Sequence, residues 1–155
     1  GRALLAGDLM TFERHLTRLL VDSGSYHDAA GQPVKMPPEA IYHAFILALL
    51  LHLQPRYLVR SNREAGYGRY DVMIVPREAG QPGVVLELKV KQKGETLAQA
   101  VARALEQLRE KDYAAELRAV GAAPIRQVAV AFDGKKVKVG SAEEAGKRRR
   151  KGAGT

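Results

Sequence analysis

The chain has 155 residues, 46% of them hydrophobic, which is enough for one compact domain with a buried core and too little for two. It contains no cysteine, which excludes a disulfide framework and a thiolate metal site and suits a reducing cytoplasm. The formal net charge is +8, but the run KRRRK at 147–151 supplies five of these charges and leaves only +3 elsewhere. The folded part is therefore mildly basic, which hints at nucleic acid without establishing it.

The domain organisation follows from composition. We predict one folded domain over residues 1–140, with a helical lead-in over 1–35, and a disordered basic tail over 141–155 that either attracts phosphate or is simply solvated. The start, GRALLAGDLM, lacks an initiator Met and the layout of a secretory signal, so we expect a piece of a longer polypeptide. The apolar stretch 40–53 is shorter than the roughly 20 residues of a membrane span. It therefore predicts a buried helix, and we expect a cytoplasmic protein without membrane contact.

Three helices are predicted from apolar spacing. The first covers 8–21, with Asp8 as its N-cap, and is followed by a loop over 23–38. The second begins at the Pro-Pro pair 37–38 and continues to about residue 53. The third is long and amphipathic, from about 96 to 120, and Gly121 is a natural C-terminal stop.

Runs rich in Val, Ile and Leu predict five strands. Their predicted ranges are 56–60, 70–75, 84–90, 125–132 and 135–139. Asp133-Gly134 is a two-residue hairpin signal between the last two strands. The order of helix, helix, three strands, long helix and two strands predicts a mixed central sheet flanked by helices, an α/β or α+β fold with an extra N-terminal helix.

The segment VVLELKV carries the strongest chemical signal. Glu87 and Lys89 are two residues apart in a strand, so they project from the same face of an otherwise hydrophobic segment. Asp71 opens the preceding strand and approaches Glu87 if the two strands pair. Neighbouring carboxylates repel unless a cation lies between them, and oxygen ligands favour Mg²⁺ or Mn²⁺. Lys89 then positions a water or offsets charge on a phosphate.

Structural interpretations compete with this one. Glu87 and Lys89 are also compatible with an ion pair on an exposed strand, although the surrounding Val and Leu residues disfavour exposure. Asp71 after a glycine turn is equally compatible with a turn cap. His43 on a buried helix is more often a satisfied core histidine than a ligand, and Tyr113 is compatible with core packing.

The pattern of a carboxylate, Glu-x-Lys on the next strand and a long helix resembles the PD-(D/E)xK nuclease superfamily. More closely, the chain resembles the nuclease-like domain that follows AAA-type ATPase-like domains in bacterial and archaeal proteins. The matching segments are PEAIYHAF, SNREAGYGRYDV, VVLELKV, ALEQLREKDY and VAVAFDGKKV, within about two-thirds of the chain. Tyr70 stands where the superfamily name has proline, a variable position. The resemblance implies a restriction-endonuclease-like αβββαβ core.

The resemblance also implies roles for individual residues. Asp71 and Glu87 correspond to metal ligands, with the Leu88 carbonyl as an extra ligand, and Lys89 corresponds to the catalytic lysine. Further positions at the active site are Glu39, Glu64 and Gln107, and those expected to contact nucleic acid are Arg69, Lys91 and Lys111. Each of these has a structural alternative: Glu39 suits the first turn of any helix, and Gln107 and Lys111 suit a solvated helix edge.

Three functions are consistent with these residues. The leading hypothesis is a nuclease that depends on Mg²⁺ or Mn²⁺ and hydrolyses phosphodiester bonds, in DNA rather than RNA. The alternative is a non-catalytic module of nuclease fold that binds nucleic acid or regulates an adjoining AAA-type ATPase domain. The third is an interaction or dimerisation domain with a vestigial site.

Overall fold

The protein is described by a computed structural model over residues 1–30, 38–62 and 71–142, without the side chains of residues 24–30 and 38. In this part of the chain the helices are α1 (Arg2–Ala6), α2 (Leu9–Ala30), α3 (Pro38–Leu50), α4 (Leu97–Glu110) and α5 (Ala114–Ala119), with a 3₁₀ turn at Leu51–Leu53. The strands are β1 (Tyr57–Ser61), β2 (Val72–Pro76), β3 (Gly83–Val90), β4 (Ile125–Asp133) and β5 (Lys136–Ser141).

The strands form one mixed sheet in the order β1-β2-β3-β4-β5. Only the β3–β4 pair is parallel, and the other three pairs are antiparallel. A parallel pair needs a long crossover connection, which α4 and α5 supply here. The sequence from α3 through β4 follows the expected αβββαβ order, so the predicted mixed sheet with flanking helices is confirmed.

Helices cover both faces of the sheet. On one face Val84 and Leu86 of β3 join a large core with residues of α1, α2 and α3. On the other face Val85 packs with Leu108 of α4 and Leu117 of α5. Because β3 is buried on both sides, it is a nearly continuous apolar run, and a charged residue within it is conspicuous.

The prediction of one helix over 96–120 is wrong in one respect, because the structure has two helices in this range. Helix α4 ends at Glu110, and Lys111 has an extended backbone with φ −121° and ψ 124°. Asp112 has a poor propensity for a helix interior, and here it forms an ion pair with Arg118 at 2.6 Å. The break turns α5 back onto the sheet. Gly121, at φ 75°, terminates this region as predicted.

The N-terminal region also departs from prediction. Helix α2 continues to Ala30, through the Ser- and Gly-containing segment predicted as a loop, and α1 was not predicted. A glycine in a helix costs only about 1 kcal/mol relative to alanine, so Gly24 does not by itself end the helix. The predicted cap is confirmed, since the Thr11 N–H donates to Asp8 Oδ1 at 3.2 Å. The remainder of the predicted loop, over 31–37, lies outside the described residues.

The β4–β5 hairpin is fastened to α3. Its two loop residues are Gly134 and Lys135, one position later than predicted, because Asp133 still pairs with Lys136. Gly134 has φ +59°, a conformation that glycine adopts without strain. The Tyr42 hydroxyl donates to the Gly134 carbonyl at 2.8 Å, and the Tyr42 ring stacks on Phe132 with centroids 4.2 Å apart.

The predicted tail begins at Ser141, which is the last residue of β5. Residues 143–155 lie outside the described part of the chain. The expectation of no membrane span is tested within the same limits. Across residues 1–30, 38–62 and 71–142, no helix combines the length and the apolar character needed to cross a bilayer.

The burial of α5 on the sheet predicts a stability difference between two identical substitutions. Leu117→Ala removes a fully buried side chain and should lower the free energy of unfolding by about 2–5 kcal/mol. Leu51→Ala, at a side chain 61% exposed, should change it by less than about 0.5 kcal/mol. Urea denaturation of both variants and the wild type measures the difference. Equal destabilisation would contradict the packing of α5 described here.

Candidate functional site

Asp71 lies beside the middle of β3. The β2–β3 ladder pairs Val72 with Leu86, and one further step in this register places Asp71 opposite Glu87. The main chain continues the pairing, because the Asp71 N–H donates to the Leu86 carbonyl at 3.2 Å. The side chain is held as well: Asp71 Oδ2 accepts from the Leu88 N–H at 2.7 Å. The Asp71 carboxylate is thus fixed by the strand that carries Glu87.

Glu87 is a buried carboxylate with an incomplete set of partners. Its side chain is only 2% exposed, and Oε1 forms an ion pair with Lys89 Nζ at 3.3 Å. Oε2 is buried and has no hydrogen-bond partner among the described residues. The structure therefore places Glu87 and Lys89 on one face, as the sequence predicts, and in a buried environment rather than an exposed one.

The electrostatics of the two carboxylates reflect this burial. Burial, the largest cause, and the charge of Asp71 together raise the pKa of Glu87 to about 7, against the opposing effect of Lys89. Burial also raises the pKa of Asp71, against the Leu88 N–H and the charge of Lys89, which lower it. At neutral pH the pair holds less negative charge than two exposed carboxylates would hold.

Helix α3 contributes two more groups. Glu39, in its first turn, raises the pKa of Asp71, and His43, one turn later, lowers it, so the charges of both side chains act on Asp71. His43 is 6% exposed, and its Nε2 lies 2.6 Å from Ser61 Oγ at the end of β1. The preferred interpretation of His43 as a satisfied core histidine agrees with this hydrogen bond. Its electrostatic effect on Asp71 was not predicted.

Tyr113 reaches the site from the opposite face of the sheet. It precedes α5 and packs, half-buried, against the cluster around Leu108 and Leu117. Burial raises the pKa of its phenol, and the charges of Glu87 and Asp71 add to that increase. From the sequence, Tyr113 was predicted only to pack in the core. Its position beside the carboxylates depends on the helix break at Lys111, which was not predicted.

The other predicted residues either form no hydrogen bond with the two carboxylates or lie outside the described residues. Gln107 is half-buried on α4, and Lys111 is half-buried just after it. Among the described residues, no hydrogen bond joins either of them to Asp71 or Glu87. Lys91 is half-buried immediately after β3. Glu64 and Arg69 lie outside the described residues, as does Tyr70.

A protein-family model described as the PD-(D/E)XK nuclease superfamily matches residues 37–142. The match covers more than half of the chain and includes α3, the whole sheet and the Asp71, Glu87 and Lys89 side chains. The chain belongs to this superfamily. Comparisons with curated proteins and with solved structures gave no significant match. The αβββαβ core of the structure agrees with this membership.

Nucleases of the PD-(D/E)XK superfamily typically use Mg²⁺ or Mn²⁺, and the residues at this site fit such an ion. The buried and unsatisfied Glu87 Oε2, beside the Asp71 carboxylate, is the oxygen donor that a hard cation requires. Across the described ranges, no group of three or more His, Cys, Asp or Glu side chains forms a complete metal cage. Mg²⁺ is commonly held by one or two carboxylates, with waters and substrate phosphates completing its shell.

The raised pKa of Glu87 predicts a pH-dependent cost that Glu87→Gln removes. The folded state keeps a proton that the unfolded chain releases between pH 4.5 and about 7, so the free energy of unfolding falls as the pH rises through this window. The loss should reach about 3 kcal/mol by pH 8. With a chelator present, Glu87→Gln should therefore be more stable than the wild type at pH 8 and similar to it at pH 4.5.

Urea denaturation at the two pH values measures this effect. Glu106→Gln, at an exposed glutamate of α4, is the matched control and should follow the wild type at both pH values. If wild type and Glu87→Gln lose stability in parallel, the carboxyl group is not the source of the pH dependence.

Proposed function

We propose that this domain is a nuclease that depends on Mg²⁺ or Mn²⁺ and hydrolyses phosphodiester bonds, with DNA as the preferred substrate. One observation carries the proposal. The buried Glu87 carboxylate lies beside Asp71 and 3.3 Å from the Lys89 ammonium, and one of its oxygens has no hydrogen-bond partner among the described residues. Two buried carboxylates side by side hold either a shared proton or a cation between them, and a bound cation would take the place of that proton.

In this proposal each group has a separate task. Asp71 and Glu87 hold the cation, with the Leu88 carbonyl as a further ligand, and the Leu88 N–H fixes the orientation of Asp71. When bound, the metal supplies positive charge at a phosphate oxygen and lowers the pKa of a water. Lys89, 22% exposed, presents its ammonium between the buried carboxylate and solvent, where it offsets negative charge that develops on the phosphate.

Surrounding residues would support substrate and water. Glu39 brings a carboxylate whose charge acts on Asp71, which suits orientation of a water molecule. Gln107 and Lys111, on the α4 side, and Lys91, after β3, are proposed as contacts to the nucleic acid. Glu64 and Arg69 retain the roles that the superfamily resemblance implies for them.

The cellular context is also part of the proposal. The absence of cysteine suits a cytoplasmic protein. The resemblance to domains that follow AAA-type ATPase-like domains supports an ATPase domain as a partner in a longer chain. The alternative is a non-catalytic module that binds nucleic acid or regulates that ATPase, and salt-dependent DNA binding without turnover would favour it.

Nuclease activity should depend on the three site residues. With Mn²⁺ present, Glu87→Gln, Asp71→Asn and Lys89→Ala should each lower kcat for DNA cleavage by roughly 10²- to 10⁴-fold, because each removes a charge that acts on the reacting phosphate. The control Glu106→Gln, at an exposed side chain that pairs with Arg109, should keep the wild-type rate. Cleavage of labelled single-stranded and duplex DNA measures the effect. Equal rates in the wild type and all three site variants would exclude the mechanism.

Metal binding can be tested without activity. At 100 times its dissociation constant, Mn²⁺ should stabilise the wild-type fold by about 2.7 kcal/mol, because it binds the folded site and not the unfolded chain. Glu87→Gln should lose most of this gain, whereas Glu106→Gln should keep it. Thermal unfolding with Mn²⁺ or with EDTA provides the measurement. A metal-induced shift of equal size in Glu87→Gln would assign the ion to another place on the protein.

A further inference from the structure

One end of the sheet carries a group of lysines beside the candidate site. They lie in the segment after β3 and in the β4–β5 hairpin, and we call them the lysine edge: Lys91, Lys93, Lys135, Lys136 and Lys138. Lys91 is half-buried and the other four are exposed. A strip of positive charge on one side of a domain is the electrostatic footprint of a nucleic-acid-binding surface.

Strand register connects the lysine edge to the site. Lys89 lies beside Ala131 of β4, and Ala131 lies opposite Lys138 of β5. Val137 packs into the core on the α1–α3 side, so its two neighbours in β5, Lys136 and Lys138, project from the other face, as Lys89 does. Two strand spacings of about 4.8 Å separate the main chains of Lys89 and Lys138 by about 10 Å.

Ion pairs within the described residues leave the charges of the lysine edge unneutralised. Within the described residues the ion pairs are Arg60–Glu116, Lys89–Glu87, Arg103–Glu95, Arg109–Glu106 and Arg118–Asp112. None of these pairs includes a residue of the lysine edge. Three carboxylates lie nearby among the described residues. Glu95 is held by two hydrogen bonds from Arg103, each 3.0 Å long, Asp133 is paired in the strand register with Lys136, and Glu13 Oε2 accepts from the Val139 N–H at 2.9 Å. Five lysines therefore exceed the local negative charge.

The hairpin that carries three of these lysines is held in place by the elements that build the site. The Tyr42 hydroxyl of α3 donates to the Gly134 carbonyl, and the Tyr42 ring stacks on Phe132. The Lys91 N–H donates to the Phe132 carbonyl at 2.9 Å. Helix α3, which carries Tyr42, also carries Glu39, whose charge acts on Asp71. The position of the lysine edge relative to the carboxylates is therefore fixed before any ligand binds.

We infer that the lysine edge binds the phosphate backbone of the nucleic-acid strand whose reacting phosphate lies at Lys89. This inference rests on the proposed function and adds a direction to it. Helix α4 covers Ala131 on the sheet face between Lys89 and Lys138, so the bound strand passes from Lys89 along the end of the sheet, past Lys91 and toward the β4–β5 hairpin. It does not run toward Arg56 and Arg77 at the other end of β1 and β2. Lysine contacts to phosphates supply affinity that is independent of base sequence and decreases with salt.

The test compares two charge-matched double variants of the full chain. Lys136→Gln with Lys138→Gln removes two charges from the lysine edge, and Arg56→Gln with Arg77→Gln removes two exposed charges from the other end of the sheet. The basic run at 147–151 is common to both proteins. Binding of a fluorescently labelled DNA duplex is measured by anisotropy in EDTA, from low to high salt.

A plot of log affinity against log salt has a negative slope, and the lysine double variant should make it less steep by about 1.8, because each lost phosphate contact removes about 0.9. Its affinity at 0.1 M salt should fall roughly 60-fold, by the same relation. The arginine double variant should match the wild type. Lys136→Arg with Lys138→Arg should restore binding, because it returns the two charges. Equal slopes in the glutamine double variants, or no DNA binding by the wild type, would overturn the inference.

Cleavage assays separate this inference from the proposed function. If the wild type cleaves DNA, the lysine double variant should raise KM and leave kcat unchanged, since the lysine edge touches no reacting atom. A fall in kcat with unchanged KM would overturn the assignment. If the wild type does not cleave but the slope falls only in the lysine double variant, the lysine edge stands and the nuclease proposal fails.

Discussion

The burial of the Glu87 carboxylate within a hydrophobic strand is the constraint on which the rest of the structure depends. A carboxylate removed from water is costly unless a proton, a cation or hydrogen bonds compensate it. Lys89 provides part of that compensation at 3.3 Å, but burial and the charge of Asp71 outweigh it and raise the pKa of Glu87 to about 7. The strand thus keeps an electrostatic cost that its own neighbours do not remove. Such a cost is common at binding and catalytic sites and uncommon in a core selected only for stability.

The sheet concentrates this cost at one place. The β2–β3 ladder includes Val72 and Leu86, and the next position along each strand holds Asp71 or Glu87. Helix α3 approaches from one face with Glu39 and His43, and the chain before α5 approaches from the other face with Tyr113. Because α3 and α5 both pack on β3, polar groups from distant parts of the sequence act on one pair of carboxylates.

Superfamily membership and local geometry support different parts of the functional argument. Membership establishes the fold and the class of protein, but a fold alone does not establish activity. The Glu87 oxygen that has no hydrogen-bond partner among the described residues supports the proposed chemistry, and the positive charge of the lysine edge supports binding of nucleic acid. The register Lys89–Ala131–Lys138 links the two, because it places a cationic edge of the sheet on the face that carries the proposed catalytic lysine.

Local patterns in the sequence were sufficient to predict the strands, the mixed sheet, the Asp8 cap and the common face of Glu87 and Lys89, because a strand repeats every two residues whatever surrounds it. They also indicated Asp71 as a partner, although only if two strands paired. Tertiary structure alone decided the break between α4 and α5 and the positions of His43 and Tyr113 relative to the carboxylates. Each of these depends on packing between elements far apart in the chain, where weak local propensities are overridden by burial and register.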